Sequence, residues 1–101
     1  MNDKAREILV SAALNGTPQI KYRLADDDGG RCAMGVLMEA CDREIFLSVR
    51  RFKWHTAFDM RVMGEYDIDG DEWREIATAN NNGWDFLTIA RKIGNPEEAN
   101  G

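Results

Sequence analysis

One histidine, two cysteines and two prolines are all that this 101-residue chain carries of the residues that most often build catalytic, metal-binding and cross-linked sites. With His55 alone, every imidazole mechanism would have to run through one ring. Cys32 and Cys41 lack the short chelating spacing that sets two thiolates on one zinc, and no fourth ligand accompanies them and His55. Both cysteines fall on an apolar helical pattern, so they read as small buried hydrophobes of a reducing compartment rather than nucleophiles or a disulfide framework. No apolar stretch approaches the ~20 residues of a membrane span, and Met1-Asn2-Asp3-Lys4 lacks the apolar run of a secretory signal. Positive charge is short too: thirteen basic against eighteen acidic side chains leave a net charge of −5, which disfavours general attraction to nucleic acid or anionic membranes. The chain reads as cytoplasmic and non-enzymatic, with no catalytic residue, metal or other cofactor expected.

What is present is the composition of one small folded domain over residues 1–101, 44% hydrophobic and 31% charged, with a frayed tail at 97–101. Ala5, Ile8, Leu9 and Ala12 mark one face of a helix from Asp3 to Leu14, with Lys4, Arg6 and Glu7 turned to water. Asn2 or Asp3 caps its start, Asn15-Gly16 permits a left-handed exit, and Pro18 prevents resumption. Ile20, Tyr22 and Leu24 alternate like a short strand, followed by the turn Asp26-Asp27-Asp28-Gly29-Gly30. A central helix between Arg31 and Asp42 is marked by Ala33, Val36, Leu37, Ala40 and Cys41, and Gly35 within it implies close approach of another backbone. Residues 45–52 fit either a strand or a helix. Phe58, Met60 and Val62, then Tyr66 and Ile68, alternate like two strands joined at Gly64. Asp71 can cap a helix through Trp73, Ile76, Ala77 and Asn80, which breaks at Asn80-Asn81-Asn82-Gly83. Asp85 caps a last helix whose buried stripe is Phe86, Ile89, Ala90 and Ile93, with Trp84 stapled against Ile89 and Gly94-Asn95-Pro96 as its end. The expected fold is α+β: helix-dominated, with a short antiparallel sheet over the central helix.

Two segments carry a resemblance, Gly30-Arg31-Cys32-Ala33-Met34-Gly35-Val36-Leu37-Met38-Glu39-Ala40 and the run Ile76 to Ala90. They resemble a family of small uncharacterised phage, prophage and bacterial proteins with a Cys-x-x-Gly-Val-Leu helix and a later stretch of Asn-Asp, Gly, Phe and Ile-Ala. Asn81 stands where that pattern has an acid, and Asp85 where it usually has serine. The resemblance implies a phage-linked setting in a bacterial host cell and no particular activity.

Asp67-x-Asp69-Gly70-Asp71-Glu72 is similar to a calcium loop, but its glycine comes two places too early and no bidentate acid follows at the required distance. Protein binding is the class that remains. Three tryptophans and five methionines supply anchors and adaptable apolar surface. Together with the resemblance, this gives an accessory factor that binds and modulates a bacterial protein, such as a nuclease of a restriction or CRISPR defence. Asp26, Asp27 and Asp28, with Asp67, Asp69, Asp71 and Glu72, would mimic phosphates towards a basic channel, and Arg50, Arg51 and Trp54 complete the partner-binding set. The alternative is a nucleic-acid-binding regulator using Arg43, Arg50, Arg51, Lys53 and Arg61 as a phosphate-contacting patch. A homodimer is compatible with either.

Overall fold

The computed structural model describes residues 1–50 and 56–93. Within them lie six helices: α1 (Asp3–Leu14), α2 (Ala33–Cys41), α3 (Arg43–Val49), α4 (Thr56–Glu65), α5 (Gly70–Asn81) and α6 (Phe86–Lys92). Four of the starts are capped by a side chain at the position before the helix. Asn2 accepts from Ala5 N, Asp42 from Ile45 N, Asp69 from Glu72 N and Asp85 from Thr88 N, each satisfying a backbone donor that the first turn leaves without a partner. The cap of α5 is thus Asp69, two residues before the expected Asp71. Helix α2 starts differently, with the Sγ of Cys32 accepting from Gly35 N at 3.3 Å. Cys32 therefore stands outside the helix as its cap and is buried there, while Cys41, at the other end, is only partly buried.

No strand occurs among the described residues, which corrects the expected antiparallel sheet. Extended pairing is limited to isolated bridges of Gln19 and Ala25 with Arg31. The segment expected as two strands at Phe58–Val62 and Tyr66–Ile68 is largely α4. Phe58, Val62 and Tyr66 are buried at helical spacing, whereas Met60, which strand alternation would bury beside Phe58 and Val62, is 66% exposed. The alternation was the weaker of two periodicities in the same letters. Of residues 45–52, which fit either a strand or a helix, those to Val49 lie in helix α3 with Phe46 and Val49 buried, and 51–52 lie outside the described residues. The expected strand at 19–24 fails at Tyr22, whose φ of 67° turns the chain out of extended geometry.

Helix α2 is central as expected, packing against α1, α3, α4 and α5. The close approach implied by Gly35 is to the Leu24 carbonyl, whose oxygen lies where a Cβ would have to go. Helices α1 and α6 run antiparallel. Arg6 in the first turn of α1 donates to Ala90 O (2.7 Å) and Ile93 O (3.1 Å) at the end of α6, and beyond the other end of α1 Gln19 Nε2 reaches Trp84 O (2.7 Å) just before α6. Arg6 is thus a helix-end clamp and not the solvated charge of the sequence reading, its cation meeting carbonyls that α6 leaves without partners.

Candidate functional site

The two segments that carried the resemblance meet in the core, and their polar residues are engaged in holding it. Asn80, 1% exposed, accepts through Oδ1 from Gln19 Nε2 (2.8 Å) and from Ala33 N at the start of α2 (2.9 Å). Its Nδ2 donates to Ile20 O at 2.8 Å. One amide therefore joins α5, α2 and the 15–32 connection, and its neighbour Asn81 accepts from Tyr22 N at 3.0 Å. These bonds tie the connection between α1 and α2 to the end of α5 and the start of α2.

The acidic clusters expected to bind a partner are partly engaged within the chain. Asp26 Oδ1 accepts from Asp28 N (2.9 Å) and Gly30 N (2.6 Å), closing its own turn. Asp27 reaches Arg50 at 3.6 Å, and Asp28 is exposed. In the second cluster Asp69 caps α5, Asp71 pairs with Arg74, Glu72 pairs with the Met1 amino group, and Asp67 sits in a left-handed turn at φ 53°. The 67–72 cluster borders the start of α5 and Met1, whereas the 26–30 turn is tied through Arg31 N to Pro18 O beyond the end of α1. Arg51 and Trp54 lie outside the described residues, as do Lys53, His55, the Gly94-Asn95-Pro96 exit and the 97–101 tail.

The basic middle segment is no less engaged. Arg43 pairs with Glu39 (3.6 Å), Arg50 with Asp27 (3.6 Å) and Arg61 with Asp42 (3.1 Å), so the described part of that segment presents cations already matched by carboxylates. The backbone N–H of Ile45 and the Arg61 guanidinium hold the Asp42 carboxyl below its ordinary range. Lys4 does the same for Glu65 through a 2.8 Å bond and is itself raised by it. Burial pushes the thiols of Cys32 and Cys41 up, away from the thiolate a nucleophile or metal ligand needs. Burial also takes the Tyr66 phenol to about 12, which leaves it neutral in the core. Among the described residues no group of three His, Cys, Asp or Glu side chains could hold a metal ion.

One open groove, about 470 Å³, runs between α1 and α2 over Ile8, Ala12, Val36 and Ala40. On its charged rim Arg31 pairs with Glu39 at 3.0 Å and Lys4 with Glu65, while Glu7 is exposed.

A different place stands out, at the end where α1 finishes and α6 begins. Of the described large hydrophobic side chains that are exposed, Leu14, Tyr22, Trp84 and Leu87 belong to this corner, and Leu47 and Met60 do not. Tyr22 is 72% exposed and held at φ 67° by the Asn81 bond. Such a backbone is uncommon for a bulky residue and persists only where neighbours impose it. Lys21 Nζ lies against Gly83, and Lys92 Nζ sits 5.8 Å from the centre of the Trp84 ring. Trp84 is thus partly out in solvent, 39% exposed, under a cation. The sequence reading missed this corner because Tyr22 matched the inward face of a strand. Its only local signal is an aromatic between two cations, Lys21-Tyr22-Arg23. No protein-family model, curated protein or solved structure matches the chain.

Proposed function

We propose that this chain is a non-catalytic binding domain that engages a partner protein through the corner formed by Tyr22, Trp84, Leu87 and the end of α1. The observation that carries this reading is Tyr22, a large aromatic held out of the core by a strained backbone and a dedicated hydrogen bond. Backbone strain clusters at functional sites, and an exposed aromatic on a backbone already held has less entropy to lose when a partner covers it. Trp84, three residues after the Asn81 that bonds Tyr22, supplies a second anchor of the kind that dominates binding energy at interfaces. The finer reading, an accessory factor of a phage or mobile element acting on a bacterial protein such as a defence nuclease, rests on the resemblance and sets where the partner is sought. Within the two acidic clusters, Asp26 and Asp69 hold their own turn and helix start, while Asp27, Asp28 and Asp71 are exposed.

The test is site-specific photocross-linking in bacterial cells, with benzoyl-phenylalanine at position 22 and, as control, at position 60 on α4. A discrete protein adduct at 22 and none at 60 is the expected result. Equal adducts at both positions, or none at 22, would sink the proposal.

A further inference from the structure

Resting on that protein-binding reading, we infer that the corner takes an acidic segment of the partner, one in which carboxylates flank a large apolar or aromatic side chain. The argument is the local sign of charge. Lys21 Nζ lies against Gly83 and Lys92 Nζ over the Trp84 ring, so two cations flank the turn that carries Trp84. Of the acids nearest to them in the chain, Asp85 has an oxygen engaged at 2.8 Å as the cap of α6, Asp26 closes its own turn, Asp27 meets Arg50 and Asp28 is exposed. A chain of net charge −5 therefore presents Trp84 beside two lysines, which gives local complementarity towards an acidic ligand.

The same distribution limits how long that ligand can be. Charges further apart than about 8–10 Å are largely screened at physiological salt, so what a segment confined to the corner meets is set by Lys21, Lys92 and the groups beside them. A nucleic-acid strand carries a charge at every nucleotide and would run from the corner onto the acidic remainder. Lys92 also covers one face of Trp84, which removes a stacking surface that single-strand binding would use. A second copy offering its Asp67–Glu72 cluster would make a head-to-tail contact, which builds rings or filaments rather than a two-fold dimer. An acidic segment of another protein meets none of these objections: its carboxylates pair with the lysines while its apolar side chain lies against Tyr22 and Trp84.

Short random peptides displayed on yeast, selected against the full chain, test this directly. Enriched peptides should be rich in Asp and Glu around an aromatic or Leu. Their affinity should fall about tenfold or more when Lys21→Glu and Lys92→Glu are combined, and about thirtyfold or more for Tyr22→Gly, which removes the anchor while relieving the backbone strain. Enriched peptides without acidic bias that still depend on Tyr22 would overturn the acidic ligand and leave the protein-binding corner standing. Failure of any peptide to depend on Tyr22 or Trp84 would overturn both. A labelled oligothymidine that binds the corner as tightly as the peptides, or growth of head-to-tail assemblies with concentration in sedimentation velocity, would likewise overturn the inference.

Discussion

Replacing Asn80 by alanine removes the one side chain that bonds three separate parts of the chain at once. Ala33 N, on a fully buried residue, loses its acceptor, and Ile20 O loses its donor. Each buried backbone group left without a partner costs about 1–3 kcal/mol, with Ile20 at the low end because it is only half buried. Gln19 Nε2 keeps Trp84 O and reaches solvent, so its loss adds little. The sum is about 3 kcal/mol, a large part of the roughly 5–15 kcal/mol that holds a domain together. For a chain of this size that lowers Tm by roughly 10–25 °C. Urea unfolding followed by tryptophan fluorescence measures it, with m unchanged if the native fold persists. Gln19→Ala should cost only about 1 kcal/mol, because its main loss is at the exposed Trp84 carbonyl. A loss below about 1 kcal/mol for Asn80→Ala, or equal losses for the two variants, would refute the hub and return Asn80 to an ordinary helix-end residue.

Gly35→Ala should cost about 3 kcal/mol or prevent folding, since its Cβ would collide with the Leu24 carbonyl, which is backbone and has nowhere to go; soluble yield and urea unfolding report it. Tyr22→Gly should do the opposite, stabilising by up to about 1 kcal/mol as relief of the left-handed strain exceeds the added freedom of the unfolded chain; destabilisation of that size in thermal melts would contradict the φ argument. Asp42, Glu65 and Asp85 are held below their ordinary values, by the Ile45 N–H, by Lys4 and by Thr88 respectively. Their stabilisation is complete above the unfolded carboxylate range of about 3.9–4.3 and is lost as pH falls through the folded values. Tm should therefore be flat from neutral pH to about 5 and drop below about 4, less steeply in Asp42→Asn combined with Glu65→Gln.

Helix α1 could be read from its letters to the residue, because Asn2, the Ala5-Leu9-Ala12 face and Asn15-Gly16 state start, face and stop in local chemistry. Gly35 was legible for the same reason: a glycine in a helix needs a neighbour that comes too close for a side chain. Helix α4 was not, since Phe58, Met60 and Val62 satisfy a strand and a helix alike until packing decides which of them faces water. The acidic and basic clusters misled in another way. Asp27, Arg50, Asp42 and Arg61 are far apart in sequence as seen from their partners, and nothing local says that they neutralise one another. Conversely, Lys21, Tyr22, Trp84 and Lys92 become one corner only after Gln19 and Asn81 tie the connection to the turn before α6.

That corner makes association depend on salt in a way net charge alone does not. At 0.01 M ionic strength the screening length of about 30 Å is comparable with the whole molecule, whose extents are 39 × 27 × 21 Å, so an acidic peptide feels the negative remainder as well as the lysines. Raising salt to about 0.1 M shortens that length to about 10 Å and removes the distant repulsion first, while the close pairs at the corner survive. Beyond that, at about 1 M and 3 Å, the close pairs are screened too. Affinity for an acidic peptide selected on the corner should therefore rise and then fall, with its maximum near about 0.1 M. Charge reversal at Lys21 and Lys92 should remove the fall and leave only the rise, because repulsion is then all that salt can screen. Anisotropy titrations across that range distinguish the cases: affinity that rises throughout in the unmodified chain means that net charge governs the encounter and that the basic corner does not select its ligand.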